Sequence, residues 1–211
     1  MKFINALLFT LFLSVFSFSL YSIEQQLIVI RHGEAGNNVE KVYNSNPENP
    51  NYKPFNLTDS GIRAITKTAK DLLAKGFSNN NIAAVFVSPL PRTRQTADIL
   101  VKQGLVSKDK IIIDKRLTEL NAGDLEGKPT FPEWKSSFAK DYHAESEQQV
   151  KNRVKEFYDS ILRQYPTGNI IVVTHALASQ DLIELVTHQV VKLNPGDAKE
   201  IPLRQLQLNK F

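Results

Sequence analysis

Uncharged runs of aliphatic and β-branched residues recur along this chain, and three of them break off near a side chain able to hold phosphate. Leu27-Ile28-Val29-Ile30 leads into Arg31-His32-Gly33-Glu34, Ala83-Ala84-Val85-Phe86-Val87 into Ser88-Pro89-Leu90-Pro91-Arg92, and Asn169-Ile170-Ile171-Val172-Val173 into Thr174-His175-Ala176. Runs without polar alternation are what strands covered by helices on both faces require. Ile111-Ile112-Ile113 is a shorter fourth run. Between them the apolar period becomes helical. After a start at Thr58-Asp59-Ser60-Gly61, where Thr58 can cap and Asp59 suits the positive end, Ile62, Ile65, Ala69, Leu72 and Leu73 share a face. A second helix is expected from Arg92 to Val101, with Ala97, Leu100 and Val101 inward. A third, from Glu145 to Tyr165, turns Val150, Val154, Phe157, Tyr158, Ile161 and Leu162 inward, and a fourth runs from Leu177 to His188. Asn44 to Phe55, with Pro47, Pro50 and Pro54, is a loop. Pro202 to Leu208 alternates imperfectly, as an edge strand does.

Strands alternating with helices predict an α/β fold: a three-layer α/β/α sandwich around a mostly parallel central sheet, formed by one domain over residues 23–211. Loops at the carboxyl ends of parallel strands gather in one crevice, so Arg31, His32, Arg92 and His175 are expected to meet there.

A length of 211 residues allows a full core. The net charge of +4 comes from scattered basic residues rather than a clustered stripe, which argues against a nucleic-acid partner. Lys2 precedes a stretch from Phe3 to Leu20 whose polar members are Asn5, Thr10, Ser14, Ser17 and Ser19. This is the pattern of a signal peptide over residues 1–22, cleaved after Ser19 or Ser22, and it implies an exported, periplasmic or secreted protein. The rival reading is an uncleaved leader that anchors the chain to a membrane. With no cysteine, disulfides, thiolate nucleophiles and zinc–thiolate sites are excluded. Asn56-Leu57-Thr58 has the form of a glycosylation sequon but reads better as a chance tripeptide at a helix start. His143 and His188 lack the Asp/His spacing of a metal site and read as surface or helix-end residues, while Arg94 faces solvent.

From Arg31-His32-Gly33-Glu34 onward the chain resembles the histidine phosphatase superfamily (phosphoglycerate mutase-like). Asn38 stands where that family places a phosphate-contacting asparagine, and Leu57-Thr58-Asp59-Ser60-Gly61 resembles its Leu-Thr-x-x-Gly helix start, with Ala64 in place of a usual Gln. Ser88 to Ala97 resembles its Ser-x-Leu-x-Arg-Ala-x-Gln-Thr-Ala block, with Thr93 for Ala. Leu117-Thr118-Glu119 and Gly123-Asp124-Leu125-Glu126-Gly127 resemble a further block, with Leu125 for Trp. Glu145-Ser146 with Arg153-Val154, and Thr174-His175, complete the series, Ala176 replacing a usual Gly. The likeness runs from about Gln26 to Val186, in the mutase/phosphatase branch (branch 1) rather than the acid phosphatase/phytase one.

The resemblance implies a phosphomonoester hydrolase that works through a phosphohistidine intermediate on His32, with a small phosphorylated substrate and neither metal nor organic cofactor. Transfer needs an in-line nucleophile and positive groups around three equatorial oxygens. A neutral His32 can attack, and adjacent guanidinium charge favours that neutral form. Arg31 and Arg92 match phosphate oxygens bidentately, His175 can donate to a third oxygen, and Asn38 can donate at the rim. Glu119 is placed by the resemblance to protonate the leaving alkoxide and then to activate water. The alternatives are a phosphoglycerate mutase-type phosphotransferase, a phosphatase of protein phosphohistidine and a non-catalytic module that binds phospho-ligands. Family mutases carry a longer insertion than the stretch from Gly127 to Glu145. Specificity is expected in Asn44 to Phe55 and Lys128 to Tyr142, with Phe131 and Trp134 serving either as a lid or as substrate contacts.

Overall fold

The structure is a computed structural model that describes residues 24–203. Strands β1 (Gln26–Arg31), β2 (Ile82–Val87), β3 (Ile111–Ile113) and β4 (Asn169–Thr174) lie parallel in the order β3-β2-β4-β1. Strand β5 (Ala198–Pro202) adds an antiparallel edge beside β1. The helices are α1 (Gly36–Glu40), α2 (Asp59–Ala74), α3 (Pro91–Lys102), the single turn α4 (Phe138–Asp141), α5 (Glu147–Gln164) and α6 (Ala176–Thr187).

Because successive side chains leave a strand on opposite faces, each apolar run feeds two cores. Leu27, Val29, Ile170 and Val172 join the inner faces of α5 and α6, whereas Ile28, Ile30, Ile171 and Val173 join those of α2 and α3. These eight side chains are fully buried, which completes the α/β/α sandwich.

Several boundaries move for local reasons. Helix α5 begins at Glu147 rather than Glu145, because Ser146 and Gln149 form a reciprocal capping box. Glu145 stays outside the helix and accepts from Arg153 Nε and Nη2 at 2.7 and 2.9 Å. An edge strand lies at Ala198–Pro202, where pairing Ile201 with Leu27 buries the one large apolar side chain of that run. All but the first two residues of the strand expected at Pro202 to Leu208, like the leader at 1–22, lie outside the described residues. On α2 the buried line is Gly61, Ile65, Ala69 and Leu72, which leaves Ile62 43% exposed, contrary to the inward position expected of it. Ile112 and Ile113 are also exposed, on edge strand β3. Thr58 caps α2 by accepting from Gly61 N–H at 3.0 Å.

Candidate active site

Arg31 is the last residue of β1, and His32 N–H still reaches Thr174 O at 3.0 Å, so the sheet ladder fixes His32 one step beyond the strand. The loop that follows is seated on the start of α2 by two glycines. A Cβ on Gly33 would lie 2.6 Å from Gly61 O, and one on Gly61 would lie 2.2 Å from Glu34 O, so no larger residue fits either position. Glu34 accepts from the Thr58 hydroxyl at 2.7 Å and belongs to this joint rather than to the chemistry. Arg92 enters from the first turn of α3, and His175 is the residue between β4 and α6. The carboxyl ends of the parallel strands thus bring Arg31, His32, Arg92 and His175 together, as a crevice of this kind requires.

The partners of His32 decide its tautomer. Nδ1 faces Gly33 O at 2.7 Å, and a carbonyl can only accept, so Nδ1 carries the proton. Nε2 faces Arg92 Nε at 3.0 Å, and a guanidinium can only donate, so Nε2 holds the lone pair. Burial first, then the charges of Arg92 and Arg31, hold the imidazole well below its ordinary value against the opposing pull of Gly33 O. His32 is therefore neutral at neutral pH.

Arg92 is 1% exposed, and its two terminal nitrogens donate to Asn44 Oδ1 at 2.9 Å and Asn44 O at 2.8 Å. Burial lowers it to about 10, with Glu119, Tyr52 and Glu126 pulling upward, so it stays charged near neutrality. Asn44 is fixed in turn through the next residue. The buried carboxylate of Glu126 accepts from Ser45 N–H at 2.9 and 3.1 Å, from the Ser45 hydroxyl at 3.0 Å and from Asn46 N–H at 3.3 Å. Burial raises the Glu126 carboxyl while these donors and Arg92 lower it.

Arg31 donates through Nη1 to Leu193 O at 2.8 Å, and its buried Nε has no partner. Burial lowers it, countered by Glu119 and Asp197. Glu119 hangs at the amino end of α6, accepting from its own neighbour Leu120 N–H at 3.0 Å and from Leu177 N–H at 3.4 Å. Asn38 on α1 spends Oδ1 on Ala35 N–H at 3.0 Å, which leaves the amide nitrogen to donate.

His175 sits deeper than expected. It is fully buried, edge-on to His32 with centroids 5.0 Å apart, and is absent from the cavity wall that Arg31, His32, Asn38, Arg92 and Glu119 line. Nε2 lies 2.8 Å from Ser88 Oγ, and Nδ1 has no partner. Burial and the charge of Arg92 hold it well below the ordinary histidine value. Arg94, His143 and His188 are exposed, with His143 beside Asp124 at 2.8 Å. No cluster of three His, Asp or Glu side chains fit for a metal occurs among the described residues.

Sequence reasoning missed Asn44 as a partner of Arg92, since it has no motif and its loop was expected only to bear on specificity. Glu126 stood inside a quoted block without a role. Of the two undecided aromatics, Trp134 lines the cavity, whereas Phe131 is 46% exposed and packs on Tyr43 and Phe138.

A neutral imidazole with a directed lone pair, two guanidinium groups and a carboxyl group, all at the carboxyl ends of parallel strands, define a phosphoryl-transfer protein of phosphatase or mutase type. The model of the histidine phosphatase superfamily (branch 1) matches residues 27–211, and the chain belongs to that family. It is 31% identical over 147 residues to fructose-2,6-bisphosphatase TIGAR of Xenopus tropicalis, a match covering 65% of this chain and 50% of the relative. The chain thus spans half the length of that relative. It is 30% identical over 166 residues to a Yersinia pestis protein named "Probable phosphoglycerate mutase GpmB", covering 72% of this chain and 70% of the relative. In fold it is similar to Bacillus stearothermophilus YhfR, with a TM-score of 0.68 at 23% identity over 86% of this chain and 92% of the other.

Proposed function

We propose that this protein hydrolyses phosphomonoesters through a phosphohistidine formed at His32 Nε2. The observation that carries the reading is the lone pair held on Nε2 by Gly33 O on one side of the ring and Arg92 on the other. An incoming phosphoryl group takes over the Arg92 Nε–H donor, so attack exchanges one hydrogen bond for another rather than breaking one. The His32 Nε2–P bond forms as the P–O bond to the alcohol breaks, and Glu119 gives its proton to the departing oxygen. Water then attacks phosphorus, Glu119 takes its proton, and inorganic phosphate leaves with His32 neutral again. Arg31 and Arg92 hold the equatorial oxygens. Where the Ser88 hydroxyl donates to His175 Nε2, His175 Nδ1 carries a buried N–H without an acceptor, the donor proposed for a third oxygen once a phosphoryl group settles against the His32 ring, 5.0 Å from that of His175.

Hydrolysis is favoured over mutase action by the short stretch from Gly127 to Glu145, since a mutase must keep its phosphoenzyme from water. The leader pattern at 1–22 is the sole ground for an exported location, and cell fractionation tests it.

The test is turnover of 4-nitrophenyl phosphate by the wild type and His32→Ala, with trapping of an acid-labile phosphoenzyme. His32→Ala should lose all measurable turnover and the trapped phosphate; activity that survives the change refutes the mechanism. Glu119→Gln should lower kcat/KM for an alkyl phosphate by about 10²–10⁴-fold and for the nitrophenyl ester far less, because nitrophenolate leaves without a proton, while kcat falls for both as the water that hydrolyses phospho-His32 loses its base.

A further inference from the structure

The cavity above His32 has a volume of about 480 Å³. Its wall carries the charged cluster of Arg31, His32, Arg92 and Glu119. The wall also carries Val42, Tyr43, Leu120, Trp134 and Leu177, with Asn37, Lys41, Thr130 and Glu147 among its polar members. A volume of this size is in the range that encloses a drug-sized ligand, well beyond a three-carbon phosphate. The part of the wall around Tyr43 and Trp134 is constructed, not incidental. Residues 41–43 and 127–130 are tied together by Gly127 N–H to Tyr43 O at 2.9 Å, Tyr43 N–H to Lys128 O at 2.9 Å and Thr130 N–H to Lys41 O at 2.7 Å. Trp134 is wedged edge-on between Tyr43 and Phe138, at centroid distances of 5.7 and 5.2 Å. An indole held on two sides by other rings is a rigid surface, so a flat apolar group gains contact with it at little cost in side-chain entropy.

We infer that the alcohol half of the substrate is an apolar ring group, an arylmethyl or similar phosphomonoester, and that Trp134 sets this preference. The inference rests on the phosphatase reading of the same site and adds the class of leaving group.

The test compares 2-naphthylmethyl phosphate, glycerol 3-phosphate and glucose 6-phosphate, all esters of primary alcohols, so that leaving-group basicity differs little. The wild type should favour the naphthylmethyl ester by roughly tenfold or more in kcat/KM. Trp134→Ala should collapse that preference chiefly through KM, and Trp134→Phe should restore most of it. Parity among the three esters in the wild type, or an equal loss on all three in Trp134→Ala, overturns the inference. The same esters are also titrated into His32→Ala by calorimetry, together with the emission of Trp134, the one tryptophan in the chain. If the wild type turns over nothing and traps no phosphate, the phosphatase reading fails. The binding arm then decides alone: tighter binding of the naphthylmethyl ester with a change in Trp134 emission upholds the apolar subsite, and equal binding of all three overturns it.

Discussion

Arg92 is the residue on which the site turns, because each of its three nitrogens donates to a different acceptor: His32 Nε2, Asn44 Oδ1 and Asn44 O. A buried guanidinium is costly unless its donors are met, and Asn44 meets two of them, which aims Nε at the nucleophile. Asn44→Ala removes the side-chain acceptor and leaves the backbone one. We expect kcat/KM for an aryl phosphate to fall by about tenfold and stability by about 1–3 kcal/mol, from loss of alignment and of two hydrogen bonds, the one from Arg92 and the one that Asn44 Nδ2 donates to Lys53 O at 2.9 Å. Unchanged kinetics with lowered stability would show that the backbone carbonyl alone is enough. Arg31, His32 and Arg92 were legible in the sequence because each follows closely on an apolar run. Asn44 was not, since its role depends on a hydrogen bond between residues 48 positions apart.

At the scale of elements, the joint between β1 and α2 places the nucleophile. The turn after His32 lies on the first turn of α2 with no room for a side chain at Gly33 or Gly61, and Thr58 binds Glu34 through both backbone and hydroxyl. Gly61→Ala should therefore push the Glu34 backbone outward and drag His32 with it. The expected result is a loss of about 2–4 kcal/mol in urea unfolding and at least a tenfold drop in kcat, although Gly61 touches no substrate. Wild-type kcat with lowered stability would separate the joint from catalysis. The helix start at Thr58 was readable from the sequence as a cap, and α5 was readable but two residues early. The capping box at Ser146 and Gln149 outcompeted Glu145, whose carboxylate is bound to Arg153.

Across the whole molecule, stability follows pH through three buried groups outside ordinary titration. His32 and His175 are held neutral, so the folded chain binds fewer protons than the unfolded one below pH 6.5, and stability falls as pH drops through that value. Each histidine contributes a slope of up to about 1.4 kcal/mol per pH unit. Asp181 acts in the opposite sense. It is 4% exposed with both oxygens unpartnered, and burial pushes it up from 3.8 to about 6. The folded chain keeps that proton longer, so the stability it confers is present at low pH and lost as pH rises from about 3.8 to 6. Urea midpoints from pH 8 to pH 5 should decline in the wild type, decline less in His175→Asn and decline more steeply in Asp181→Asn. At pH 7.5 Asp181→Asn should be more stable by about 1–3 kcal/mol, a gain that shrinks toward pH 4.5. A midpoint independent of pH in all three would show that these groups titrate normally. The amino-acid sequence by itself determined the parallel sheet, the strand ends that carry Arg31, His32 and His175, and the family blocks between them, since period, caps and strand ends are properties of neighbouring residues. Only the tertiary structure decided which nitrogen of His32 holds the lone pair, that Asn44 grips Arg92, that His175 lies behind the cavity wall and that Trp134 forms part of it. Those outcomes depend on distances of about 3 Å between segments far apart in the chain, and hydrogen bonding and contact fall away within an ångström of that range.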